Sequence, residues 1–433
     1  MNYAEARVYL DEMSKYGSVL GLESIKELLG RLGNPQDSLK FIHISGTNGK
    51  GSVLAFLSTI LSGAGYRTGR YISPTLFSYR ERIQVDGEYI ERDALARHVT
   101  SIAAAAADMD AAGLRVPTAF EIETALAFLY FQEKHCDVVV LETGLGGALD
   151  ATNIVQTSVL EVITSISMDH IDCLGDTLEK IARQKAGIIK PRTQVASAAQ
   201  QLEATRVIVQ ACEDNCCPYR VVDPAQIRNI RYGYESQTFS YKDWQDIEIN
   251  LAGSYQIQNA ALALEAIDAL RYIGFRLSDQ QVREGMLHTT WRGRFTLLCR
   301  DPVVIMDGAH NPEAAQELKQ SLELYFKGKK LHYILGMFRD KDIHQVIALT
   351  APLAADIITI QTPNSTRALP AEDLREAVAR VNPRVEAMDS IAEAVKTALD
   401  RAGRDDVIVI FGSLSFLGEA EQAVLRERSS HEP

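Results

Sequence analysis

Short apolar runs rich in β-branched residues alternate with long helical patterns along most of this 433-residue chain, and no other feature narrows its fold as much. Residues 39–45 (LKFIHIS), 66–73 (YRTGRYIS), 136–144 (CDVVVLETG), 158–167 (SVLEVITSIS) and 193–199 (TQVASAA) read as buried strands, and several intervening segments carry helical periodicity. Strands that are apolar on both faces belong to parallel sheets covered by helices, so the expected class is α/β. Over residues 226–251 the pattern changes to alternating aromatic and polar residues, which predicts a small antiparallel patch; a helix then opens near Tyr255. A second α/β series begins near Gly293, with apolar runs in 294–300, 303–310, 330–338, 356–363 and 406–418 and helices from Pro312 and Pro370. Two domains are expected, residues 1–292 and 293–433.

Hydrophobic residues make up 46% of the chain and charged residues 24%, a balance that excludes a disordered or collagenous protein. The net charge of -12 means that the bulk surface repels nucleic acid and anionic membranes, so any phosphate site must be local. Glu5, Asp11 and Glu12 near the start are unlike a secretory signal, and no run approaches the ~18 apolar residues of a spanning helix. A cytoplasmic protein with no membrane and no nucleic-acid partner is expected. In a reducing compartment its six cysteines stay thiols, and Cys212, Cys216 and Cys217 lack the second Cys or His pair of a zinc site.

The strongest local signal is HISGTNGKGS, from His43 to Ser52, between a strand and the helical pattern SVLAFLSTIL. Gly46, Gly49 and Gly51 let backbone N–H groups wrap an anion, the following helix points its positive end there, and Lys50 adds a point charge. The segment is a phosphate cradle, although Gly51 separates Lys50 from Ser52 and so breaks the generic G-x-x-x-x-G-K-[ST] spacing. Ser73 (SPTL), Glu142 (LETG) and Asp169–His170 (MDHID) all fall at carboxyl ends of strands, where open α/β sheets bind ligands. A carboxylate buried there is costly without a cation or hydrogen bonds, which makes Glu142 a metal-ligand candidate. Ser73-Pro74 also reads as a plain turn, His170 as a structural histidine, and Lys185 as a basic side chain at a helix C-terminus. Pro117, Thr118 and Glu121 form a helix-capping pattern compatible with a pocket wall from Thr118 and Phe120. In the second series DGAHNP places Asp307, His310 and Asn311 between a buried strand and a helix N-terminus, and Arg294 stands in the joining segment.

GTNGKGS, ETGLGGALDATN, DHIDCLG, RQKAGIIKP, YQIQNAALALEA, RGRF and DGAHNP, in this order over nearly the whole chain, resemble folylpolyglutamate synthase/dihydrofolate synthase, a family of the Mur ligase superfamily. The resemblance implies an ATP-binding P-loop domain with a parallel sheet, a Rossmann-like C-terminal domain, and ligation of L-glutamate to a carboxylate of folate or dihydropteroate with ATP and Mg²⁺. It implies that Gly46, Thr47, Asn48, Gly49, Lys50, Gly51 and Ser52 hold ATP phosphates, and that Ser73, Glu142 and His170 bind magnesium directly or through water. Lys185 matches a carbamylated lysine that helps hold a second magnesium. Gln256 and Asn259 match adenine contacts, Arg294 and Asp307 phosphate and ribose contacts, and His310 a position near nucleotide or glutamate. Thr118, Phe120 and Asp150 match the pterin-side pocket and Ser413 the glutamate side. A monomer is implied.

Thr75 and Ala148 depart from the family pattern, which often has His and Arg there, on the folate-side loops. The residues alone leave room for another Mur-type ligase acting on a non-folate carboxylate, or for a nucleotide-driven switch that hydrolyses ATP without a carboxylate acceptor.

Overall fold

In chain order the strands of the first α/β series are β1 (Phe41–Ser45), β2 (Thr68–Tyr71), β3 (Ile83–Val85), β4 (Glu88–Tyr89), β5 (Val138–Glu142), β6 (Ser158–Ile163), β7 (Gln194–Ser197) and β8 (Tyr219–Val221). They form one sheet in the order β4-β3-β2-β5-β1-β6-β7-β8, parallel except for β3 and β4. The computed structural model describes residues 1–17, 19–363 and 366–429. These condense into two compact units, one within residues 1–74, 80–227 and 258–288, the other within 75–79, 228–257 and 289–429.

In the first unit β1 and β5 are buried along their whole length; β5 carries the apolar run Val138–Leu141 before Glu142, while β1 buries His43 and Ser45 between apolar neighbours. Phe41 meets Phe128 of the Ala119–Glu133 helix on one face, ring centroids 5.4 Å apart. The Lys50–Gly63 helix is apolar almost all round because a second layer covers it. Gly285, in the Asp279–His288 helix, sits so close to it that a methyl group there would lie 2.4 Å from Ile60 Cγ1. Parallel pairing brings the carboxyl ends of β2, β5, β1 and β6 to one edge, and the loops leaving them carry most of the nominated residues.

The second unit holds the antiparallel sheet of β9 (Ile227–Arg231), β10 (Gln237–Tyr241) and β11 (Trp244–Ile249), ordered β11-β10-β9. Its larger sheet comprises β12 (Thr296–Arg300), β13 (Val303–Met306), β14 (Leu331–Leu335), β15 (Asp356–Ile360), β16 (Val385–Met388) and β17 (Val407–Phe411), ordered β12-β13-β17-β14-β15-β16 with β12 antiparallel. Tyr325 ties the two sheets: its hydroxyl donates to Gln237 Oε1 at 2.8 Å, and its ring lies 5.4 Å from that of Phe295. The mixed α/β class and the antiparallel patch are as expected from the sequence. Among the described residues no helix is long and apolar enough to cross a membrane.

Candidate active site

The loop after β1 turns on two glycines. Gly46 has φ 149°, and a Cβ there would stand 1.8 Å from Thr164 Oγ1; Gly49, φ 88°, caps the Lys50–Gly63 helix with Asn259 Oδ1 2.5 Å from where a Cβ would be. The loop is stitched to the segment after β6, since Thr47 N donates to Ser165 O at 2.7 Å and Thr47 Oγ1 to Ser167 O at 3.2 Å. A helix N-terminus with its first N–H groups turned into a tight glycine loop is built for anionic oxygens. Asn259, nominated for adenine, lies against this loop.

Two lysines converge on one carbonyl. Lys50 Nζ donates to Gly46 O at 3.1 Å and Thr47 O at 3.2 Å, and Lys185 Nζ reaches Gly46 O at 2.7 Å from the last turn of the Leu178–Ala186 helix. Lys185 sits in the last turn of its helix, where the sequence reading puts a basic side chain, and it is 4% exposed with its Nζ on the phosphate loop. Glu142, buried at the tip of β5, lies 4.0 Å from Lys50 Nζ through Oε1, and its Oε2 is 3.4 Å from the Ser73 amide.

Glu142 thus brings a carboxylate to the loop, a hard oxygen donor of the kind Mg²⁺ takes together with water and phosphate oxygens, and the backbone amide of Ser73 lies against it. His170 initiates a short helix with φ 51°; its ring is 40% exposed, with Nε2 4.0 Å from Asp169 Oδ2. Among the described residues no three His, Cys, Asp or Glu groups converge as a metal cage.

Beside the lysines runs the wall formed by residues 144–152. Thr118 caps its helix by the expected reciprocal pair, Glu121 N to Thr118 Oγ1 at 3.3 Å and Thr118 N to Glu121 Oε2 at 2.7 Å. This fixes Phe120, whose ring fills the space a Cβ on Gly144 would need, 2.4 Å from Cζ. Ser45 Oγ donates to Gly146 O at 2.7 Å, and Ala148 N donates to Gln184 O at 2.7 Å. Asp150 is 2% exposed and its oxygens face inward, accepting from Leu145 N at 2.7 Å, Thr152 N at 3.0 Å and Thr152 Oγ1 at 2.5 Å. Burial pushes its carboxyl above the usual range against these donors. The aspartate that the resemblance put on the pterin side thus braces the wall from within.

In the second unit Asp307 follows β13 and is buried. It accepts from Tyr255 Oη at 2.9 Å, Phe295 N at 2.7 Å and Ala309 N at 2.7 Å, and burial raises its carboxyl although Arg294 works the other way. Tyr255 was not foreseen as Asp307's partner; 52 residues of sequence separate them. Gly308 packs against Arg294 Nη1, His310 Nδ1–H donates to Gly308 O at 2.7 Å, and Asn311 caps the Pro312–Tyr325 helix. Ser413, just past the neighbouring β17, is buried and 2.9 Å from Ser415 Oγ. Gln256 is fully buried at the start of the Gln256–Tyr272 helix. Asp307, His310 and Ser413 therefore follow adjacent strands at one sheet edge, since Asp307 N donates to Ile410 O at 2.9 Å.

The sequence matches the Mur ligase middle domain over residues 44–267 and the Mur ligase glutamate ligase domain over 293–414. It is 35% identical to the dihydrofolate synthase/folylpolyglutamate synthase of Bacillus subtilis, over 96% of this chain and 98% of that one. Its fold is similar to that of Mycobacterium tuberculosis folylpolyglutamate synthase complexed with ADP and AMPPCP, with TM-score 0.88 and 29% identity over 100% of both chains. It is also similar to Escherichia coli FolC in complex with DHPP and ADP, with TM-score 0.86 and 30% identity over 99% and 100%.

Proposed function

The chain belongs to the folylpolyglutamate synthase/dihydrofolate synthase family of Mur ligases, and from that premise we propose how its residues divide the work of an ATP-dependent ligase that joins L-glutamate to a folate carboxylate. The observation that carries this division is the meeting of Lys50 and Lys185 on the Gly46 carbonyl, at a helix N-terminus beside Glu142. Residues 1–292 supply the phosphate loop and the folate-side wall, and residues 293–433 supply the glutamate-ligase part together with Arg294 and Asp307 for the nucleotide.

Gly46 to Ser52 hold the ATP phosphates through backbone N–H groups, with Lys50 offsetting the charge that builds on the transferring γ-phosphoryl group. Asn259 and Gln256 hold adenine, Arg294 and Asp307 phosphate and ribose. Ser73, Glu142 and His170 hold Mg²⁺, which when bound neutralises phosphate charge. Thr118 and Phe120 face the pterin side, with Asp150 behind the wall; His310 and Ser413 serve the incoming glutamate. Attack of the folate carboxylate oxygen on the γ-phosphorus releases ADP and gives an acyl phosphate. The glutamate amine then adds to the acyl carbon, expels inorganic phosphate and loses a proton to form the amide. No protein nucleophile is required, so positioning and charge supply the acceleration.

Lys185 is the carbamate candidate. A carbamate forms from a neutral amine, and the Lys185 Nζ is buried at the same Gly46 carbonyl that Lys50 approaches. The enzyme works as a cytoplasmic monomer on this reading. Incorporation of labelled glutamate into dihydropteroate and into tetrahydrofolate, with and without ATP, tests the assignment; a muramyl precursor as the sole acceptor would replace it with another Mur-type activity.

A further inference from the structure

His43 lies in the middle of β1, fully buried, on the same face as Phe41, and no part of the mechanism above uses it. Its Nε2 is 2.9 Å from Thr152 Oγ1. That hydroxyl is also 2.5 Å from Asp150 Oδ1, and its single proton can serve only one of these neighbours. Asp150 already receives the amides of Leu145 and Thr152, the mark of a carboxylate that accepts on both oxygens. Thr152 must therefore donate to Asp150 and accept from His43, which puts the imidazole proton on Nε2 and leaves Nδ1 bare. The surroundings agree, since among the described residues no donor or acceptor meets Nδ1. Burial, with Lys190 nearby, keeps the ring neutral, its pKa lowered to about 3.

We propose that His43 is a positioning residue for the folate-side substrate: through Thr152 it orients Asp150, and Asp150 in turn sets the course of residues 144–152 past Phe120 and Lys185. The inference rests on the reading that Phe120 and this wall face the pterin. Asp150 braces this loop by accepting from its own N–H and O–H groups. The donor travels in one direction, from a neutral imidazole to a hydroxyl to a carboxylate.

The experiment uses the full-length enzyme with ¹⁵N-histidine labelling and steady-state kinetics. The His43 resonance, assigned by its loss in His43→Gln, is expected to report the Nε2–H tautomer from pH 5 to 8; an Nδ1–H or a charged ring overturns the relay. His43→Leu removes the donor and is expected to raise KM for dihydropteroate or folate about tenfold, the worth of one buried hydrogen bond, with KM for ATP unchanged. His43→Gln, which keeps an N–H near the Nε2 position, restores most of the affinity. Equal rises in both KM values, or none, overturn the proposal. Should His43→Leu not fold, Thr152→Val against Thr152→Ser makes the same comparison from the hydroxyl. If the wild-type enzyme accepted neither pteroate nor folate, the substrate reading would fall while the tautomer measurement still decided the relay.

Discussion

The Lys185 ammonium lies 2.7 Å from the carbonyl oxygen of Gly46, the same oxygen that Lys50 approaches to 3.1 Å. The helix end that carries Lys185 is thereby pinned to the phosphate loop across 139 residues of sequence. Lys185→Ala is expected to be nearly inactive, and a small carboxylate in solution is expected to restore part of the turnover by occupying the place of a carbamate. An active alanine variant, together with a bare ammonium in a nucleotide- and magnesium-bound crystal, would refute the carbamate.

Lys50→Ala removes charge from the loop without removing core volume, its side chain being 18% exposed. Ligation is expected to fall by about a hundredfold or more, as for loss of a group that meets charge developing in the transition state. The thermal midpoint should stay close to wild type. Near-normal glutamate incorporation would remove the phosphate role.

Gly144→Ala drives a methyl group against the Phe120 ring, 2.4 Å from Cζ. The ring must shift, costing about 1–3 kcal/mol in chemical unfolding. KM for the folate substrate is expected to rise several-fold while KM for ATP holds. A change confined to ATP would place Phe120 on the wrong side of the site.

Glu161 introduces a pH dependence of stability. Its carboxyl is buried, bonded by Ser158 Oγ at 2.6 Å and by Thr193 Oγ1, and burial raises its pKa from 4.5 to about 7. Between those values the folded chain binds more protons than the unfolded one, so stability falls as pH rises through the window. Glu161→Gln holds the neutral form at every pH. Its advantage over wild type should grow from near pH 4.5 to near pH 7 and then level off, at most on the order of 3 kcal/mol. Urea midpoints across this range check it; a constant difference would discard the assignment.

Hydroxylamine offered in place of glutamate is expected to capture the activated folate as a hydroxamate, only when ATP is present. Absence of hydroxamate while glutamate ligation runs normally would argue against an accessible acyl phosphate.

The strands of both series were legible because continuous Val/Ile/Leu runs such as 138–141 suit the middle of a covered parallel sheet. The β3–β4 hairpin was not anticipated, although Asp86-Gly87, with φ 51° and 86°, is the dipeptide a tight hairpin turn calls for; strands of three and two residues leave too short a periodic pattern to read. Half-buried β16 likewise lacks the apolar run of a central strand. The phosphate loop was legible because its glycines, lysine and helix are contiguous. Tyr255 with Asp307, and His43 with Thr152, were not, because each pair is assembled by the fold from distant segments and no local spacing announces it.

Strand β1 is laddered on both sides, to β5 and to β6, whereas β4 and β8 close the sheet's margins. On warming, the margins fray first and the centre opens only when the unit as a whole does, so amide protons along Phe41–Ser45 should be among the last to exchange with solvent. The phosphate loop springs from that last-melting segment. Heat would therefore erode the loops at the β4 and β8 margins first, while the phosphate loop after β1 and the wall of residues 144–152 after β5, both rooted in the middle of the sheet, kept their register.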